Sequence, residues 1–390
     1  MLTKTGRITL INAVLTSITT YYLTMFAPSK WLIKRIDKLR RGFLWRGEDE
    51  AAGSHCAVNW KQVCSPTRFG GLGIKNLELF SRSLRLRWLW NSWTSPSRPW
   101  ISSQMPCSAT DLALFNTATS ITLGNKRSTK FWSSSWLNGS APKNIAHNLY
   151  KLVRRKNASV AAALANGNWM RRLQRLTTTT DLHCFFSLWQ HIQQVNLTDE
   201  PDAICWKTSS SNHYSASSAY DLQFLGSINR PALDKIWHIK SEGKVKFFTW
   251  LLAQNRLPPT YRLRARRCDI ADRCSLCDQT AETAARLFCH FPFTSEVCFK
   301  LHCTLQPSQN AAASFNNMHF LTAQDWWAHH SNGPKQNAQQ VMYFAWNIWN
   351  ERNRRVFKHI SSTADEIVSL IASDLNHLRV ALCRPPPEPD

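Results

Sequence analysis

The sequence predicts a mainly α protein with small β-hairpins: several short helical modules built around Trp-rich cores, one of them resembling a zinc knuckle. Three observations carry this. Apolar residues recur at helical spacing along much of the 390-residue chain. Eighteen tryptophans fall in clusters such as RWLWNSW and WNIWNERN, and read as packing anchors on helices. Cys274 and Cys277 form a Cys-x-x-Cys pair ahead of a predicted helix, the layout that brings S and N donors from two segments to one ion. At 43% hydrophobic, the chain holds apolar mass for two or three modest cores.

Residues 1–47 read as two basic helices broken at Pro28 and closed by Gly47. Ile8 to Ala27 is uncharged and of membrane-spanning length, and it follows Lys4 and Arg7 as a signal sequence would. Its Ile8, Ile11, Leu15, Ile18, Tyr22 and Met25 fall at helical spacing while threonines gather on other faces, which predicts an amphipathic helix docked on protein, with no membrane partner. Residues 48–110 begin with a loop at 48–55. Gly70, Gly71 and Gly73 then predict a turn closed to larger residues, and a helix from Asn76 is expected to bury Leu77, Phe80, Leu84 and Trp88.

Residues 111–230 read as mixed hairpins and helices, with one hairpin over 121–139 turning at Gly124-Asn125 and a strand, turn, short strand and helix over 203–224. Residues 231–305 contain a helical pair stopped by Pro258 and Pro259, then the cysteine module. An Asn/Gln-rich linker is expected over 306–340, C-terminal helices over 341–383 and a disordered tail over 384–390.

Charge points to a polyanionic partner. Lys and Arg number 48 against 25 Asp and Glu, a net charge of +23. The cations come in bursts at 33–47, 82–88, 152–156, 169–176, 261–267 and 351–358, each with few carboxylates nearby, which predicts phosphate contact by RNA or DNA. The residues expected to make it are Lys34, Arg35, Arg40, Arg41, Arg82, Arg85, Arg264, Arg266 and Arg267. Twelve irregularly spaced cysteines do not form a secreted disulfide framework, so a reducing nuclear or cytoplasmic compartment is expected.

Three stretches together resemble one family. GRITLINAVLTSITTYYLTMFAPSKWLIKRIDKLRRGFLWRG, NWKQVCSPTRFGGLGIKNLELFSRSLRLRWLW and the span from NHYSASSAYDLQF to CSLCDQTAETAARLFCHFPFTSEVC are similar to the region downstream of the polymerase in plant non-LTR (LINE-type) retrotransposon reverse transcriptases, including the reverse transcriptase zinc-binding domain. The resemblance implies a chain that begins after the polymerase active site. In keeping with this, the sequence has no adjacent Asp-Asp pair of the kind that positions two Mg²⁺ ions in the family's polymerase.

By the same resemblance the zinc donors are Cys274, Cys277, a His at position 286 and a Cys at position 291, but Arg286 and Phe291 stand there. A guanidinium has no free lone pair and cannot ligate. Cys289 and His290 are the nearest substitutes. However, His290 lies one helical turn on, about 5.4 Å, against a Zn–N bond of about 2.0–2.1 Å, and neighbouring helical residues point about 100° apart. Cys268 or Cys298 would complete a set only after a helix shift. Zinc is therefore an open expectation. The function expected is a non-catalytic, sequence-nonspecific nucleic-acid-binding fragment, with a reverse transcriptase in trans as a further partner. Two alternatives stay open: a zinc-stabilised protein-interaction scaffold, and a degenerate element's product without selected function.

Overall fold

A computed structural model of the protein describes residues 2–49, 56–99, 105–125, 129–195, 200–258, 263, 274, 276, 282–305 and 320–383. These residues are mainly helical, with a single two-stranded sheet among them. They divide into two compact units, each assembled from separated segments: Met1–Leu15, Arg35–Lys75 and Ile228–Asp390 in one, Thr16–Lys34 and Asn76–Ser227 in the other. The consecutive modules read from the sequence follow local breaks in pattern, whereas the units form where distant apolar faces bury one another.

The chain opens with a helix, Lys4–Leu10, that continues through a π turn, Ile11–Leu15, into Thr16–Met25; Lys30–Trp45 follows the break at Pro28. The π turn changes the expected docking face. It adds a residue to one turn, so the apolar stripe that begins at Ile8 and Ile11 does not continue in line beyond it. Ile11 and Leu23 are buried, while Ile18 and Tyr22 are each 64% exposed. By length and composition Lys4–Met25 would also suit a membrane span, with 22% of its most apolar window buried. Lys4 and Arg7, the pair that resembles a signal-sequence head, instead donate to backbone carbonyls at the end of the Lys30–Trp45 helix: Lys4 to Trp45, Arg7 Nη1 to Phe43 at 3.4 Å. Carbonyls in the last turn of a helix lack part of their intrahelical bonding, and cations there interact favourably with its dipole.

In the first unit, Ile74, Ile236, Val245, Trp250, Trp327, Met342, Ile348 and Ile371 form the centre of one core, each almost wholly buried. The glycine turn is set as the sequence predicts. Gly70 has φ of +81°, and a Cβ on Gly71 would lie 1.9 Å from the Ser65 carbonyl oxygen. Trp250 Nε1 donates to the Gly70 carbonyl at 2.9 Å, which joins the turn to the Gly243–Ala253 helix.

The expected linker over 306–340 does not hold in its second half. Ala323–Ser331 is a helix that buries Trp326 and Trp327, and Trp327 Nε1 donates to the Ala232 carbonyl at 2.7 Å. Two indoles outweigh the polar composition around them. Residues 306–319 and the tail at 384–390 lie outside the described residues.

The same helix carries a pH-sensitive group. Burial and the neighbouring His329 push the His330 imidazole down to about 4. The fold therefore favours neutral His330, and its contribution is complete above the unfolded value of about 6.5 and lost as pH falls toward 4. We expect the Tm of wild type to fall more steeply over that window than the Tm of His330→Gln; parallel profiles would refute this.

The second unit holds two clusters, one around Phe131, Leu137, Leu149 and Trp169, the other around Leu86, Trp90, Phe115 and Trp206. Helix Leu77–Thr94 starts at Asn76, whose Oδ1 accepts from the Glu78 and Leu79 amides at 3.1 and 3.2 Å. Leu77, Leu84 and Trp88 are buried as expected. The hairpin over 121–139 is not formed. Thr119–Thr122 pairs instead with Ala203–Trp206, antiparallel, Thr119 opposite Trp206. Asp202 explains the difference, because its carboxylate accepts from the Gly124 amide at 2.8 Å and from the Thr129 amide and hydroxyl at 3.2 and 2.7 Å. Gly124 also sits so close to this segment that a Cβ would lie 1.8 Å from the Glu200 carbonyl oxygen. The glycine that reads as a hairpin turn is a close approach of two backbones.

Candidate metal centre and nucleic-acid interface

Of the Cys-x-x-Cys pair, the first half of the candidate site, only Cys274 falls among the described residues. Cys274 is fully buried, and the Leu276 amide donates to its Sγ at 3.4 Å. Its companion Cys277 lies outside the described residues, as does Cys268. The other half rests on the Ala284–Cys289 helix, which Thr283 caps by accepting from the Arg286 amide at 3.2 Å. Leu287 and Phe288 turn inward, and Phe288 stacks on Trp326 at 5.9 Å.

The positions that would complete a metal site do not converge. Arg286 is exposed; Phe291, 4% exposed, is part of the core. Cys289 packs against that core, where burial pushes its thiol up to about 12. His290, at the helix end, is exposed, with Nε2 3.3 Å from the Phe320 carbonyl oxygen. Cys298 is likewise held as a thiol by burial, pushed up to about 12. Among the described residues no three His, Cys, Asp or Glu side chains are placed to hold a metal. The described donors therefore do not converge on a tetrahedral zinc site.

A buried ion pair holds the helix start instead. Glu282, two residues ahead of the helix, receives Arg352 Nε at 2.9 Å and Nη2 at 2.8 Å, with both side chains essentially unexposed. Arg352 also lies 5.0 Å from the centroid of the Trp349 ring. Sequence reasoning missed this pair, since Arg352 belongs to a burst read as phosphate-facing. Two more cations of that burst are also claimed: Arg354 and Arg355 reach the buried carboxylate of Glu351 at 3.2 and 2.7 Å, while Lys358 is exposed. The available signal was Glu351-Arg352 directly after a Trp-rich run, where a charge must sit beside a core.

Of the residues expected to contact phosphate, Lys34 and Arg35 are exposed on the Lys30–Trp45 helix and Arg41 is half-buried. Arg40 is not available. It is 1% exposed, donates to Asp37 at 2.8 Å and to the Lys75 carbonyl at 2.9 Å, and lies 5.7 Å from the Trp60 ring centroid. Arg85 is withdrawn in the same way, donating through Nη2 to the fully buried Asp111 at 2.9 Å and through Nη1 to Ser81. Arg82 shares Asp111 at 3.2 Å and donates to Gln223 at 3.1 Å. In each case a partner distant in sequence, the Lys75 carbonyl for Arg40 and Asp111 for Arg82 and Arg85, claims a guanidinium that periodicity alone would place in water. Arg264, Arg266 and Arg267 lie outside the described residues.

Residues 214–297 match the family described as zinc-binding in reverse transcriptase. That segment carries the domain which its Cys-x-x-Cys block and preceding helices resemble, and it begins at Tyr214, ahead of the boundary at 231 read from the sequence. A protein of Arabidopsis thaliana described as "Putative ribonuclease H protein" is 22% identical over 320 residues, an alignment covering 71% of this chain and 49% of the relative. The chain spans about half the length of that curated relative.

Proposed function

We propose that this chain is a non-catalytic, sequence-nonspecific nucleic-acid-binding module derived from a retroelement reverse transcriptase. The observation that carries the reading is where its charge falls. Among the described residues, the buried carboxylates Asp111, Glu282 and Glu351 are each matched by guanidinium groups, so their burial does not offset the sequence's net charge of +23. A polyanion is the partner that such a surface attracts. The reverse transcriptase zinc-binding match at 214–297 supports the retroelement origin. A reverse transcriptase acting in trans is the protein partner this reading implies.

The relative's description names a ribonuclease H. Two-metal hydrolysis of that kind requires clustered carboxylates, and the buried carboxylates described above are engaged in ion pairs. Together with the lack of an Asp-Asp pair in the sequence, this supports a binding role over a catalytic one.

Charge reversal at Lys34 and Arg35 tests the reading, since both are exposed on the Lys30–Trp45 helix, and matching melting curves would check that the fold is kept. Lys34→Glu/Arg35→Glu is expected to weaken binding by about tenfold or more, alike for unrelated sequences. Unchanged affinity, or template-dependent primer extension by the purified chain above a mock purification, would contradict it.

A further inference from the structure

The second unit displays a group of aromatic and basic residues that the bulk-charge reading leaves unused. On the Thr16–Met25 helix, Ile18, Tyr21, Tyr22 and Met25 share one face by their spacing. Tyr21 is 69% exposed and Tyr22 64%, with their rings 5.7 Å apart, edge to face. Beyond the helix, Phe26 and Trp31 are 62% and 73% exposed, interleaved with exposed Lys30 and Lys34. Water-facing aromatics at this density are costly unless something covers them.

The same face leads into a cavity of about 360 Å³, lined by Thr24, Met25, Arg87, Trp88, Asn91 and Arg98. Trp88 Nε1 donates to the Thr24 carbonyl at 3.0 Å, fixing one wall against the other. Arg87 and Arg98 are both exposed, and among the described residues no carboxylate forms an ion pair with Arg87. Two guanidinium groups, an amide and an indole edge thus surround a space beside a run of exposed rings.

We propose that this face binds single-stranded nucleic acid, with bases stacked on the exposed rings of Tyr21 and Tyr22 and the backbone phosphates held by Arg87 and Arg98. This site rests on the nucleic-acid reading above and adds the form of the ligand. Stacking needs unpaired bases, which a duplex does not offer, and exposed aromatics set among cations are the usual means of holding them. An anionic membrane surface would also draw aromatics and lysines. The arginine- and amide-lined cavity favours a strand, because its donors suit phosphate oxygens and base edges together.

The test uses the full chain and labelled oligo(U), oligo(dT) and an RNA duplex, each of about 20 nucleotides, at about 150 mM salt. Wild type should prefer a single strand to the duplex. Tyr21→Ala/Tyr22→Ala should weaken single-strand binding by about tenfold or more and leave duplex binding within about twofold. Arg87→Ala, in a different part of the site, should also weaken single-strand binding. All three positions are exposed, and matching melting curves would confirm intact folding. Preference for oligo(U) or oligo(dT) assigns the strand as RNA or DNA, and either result supports the site. Equal binding of strand and duplex, with no loss in the variants, would overturn the site and leave the bulk-charge reading standing. No binding of any oligonucleotide would overturn both. Loss of binding to phosphatidylserine vesicles in the tyrosine variant, with oligo(U) binding unchanged, would assign the face to a membrane surface instead.

Discussion

Arg352→Met is expected to lower stability by about 3–5 kcal/mol, because it removes a two-point guanidinium partner from a buried carboxylate. The pair makes two short hydrogen bonds in a place where neither side chain meets water. The Coulomb attraction of the pair does little more than offset the cost of desolvating both groups, so the loss comes mainly from taking two hydrogen bonds away from a charge that stays buried. Glu282→Gln/Arg352→Met removes both charges and should recover part of the loss, a coupling that a double-mutant cycle reads directly. Urea unfolding followed by tryptophan fluorescence would measure this, since Trp349 and Trp326 belong to or pack against the same core. A single variant as stable as wild type would show that the pair does not hold this part of the core.

The second large effect concerns metal. Unaltered protein should carry clearly less than one zinc per chain, since Arg286 and Phe291 stand at two of the positions that the resemblance assigns to donors. Phe291→Cys with Arg286→His restores the donors, but it also removes a ring that is 4% exposed in the core. Without metal, that variant should be less stable by about 2–4 kcal/mol, the cost of an unfilled core position. With zinc it should recover and exceed wild type, because metal binding that accompanies folding adds directly to stability, and chelator should reverse the gain. Stoichiometric zinc in unaltered protein that disappears in His290→Ala would overturn this and show that the helix can shift by a turn.

Much of the architecture was legible because it is local. Pro28, the Asn76 cap and the Gly70–Gly71 turn each dictate backbone conformation within a few residues, and each appears where the sequence puts it. What failed depended on partners far along the chain. Gly124-Asn125 has the chemistry of a hairpin, yet Asp202 binds it from a segment nearly eighty positions away and gives Thr119–Thr122 a different strand partner. Arg40 and Arg85 sit in basic bursts, but Lys75, Trp60 and Asp111 claim them. The π turn at Ile11–Leu15 displaced an apolar stripe that a fixed period carried too far. The Glu282–Arg352 pair was not legible either, because its two halves lie seventy residues apart.

The most direct test of the central claim is a salt titration of nucleic-acid binding by the intact chain. If the +23 surface engages even about six phosphates of a duplex, affinity should fall by about a thousandfold between about 50 and 200 mM salt, alike across sequences. Affinity that is flat with salt, or that depends strongly on sequence, would contradict it.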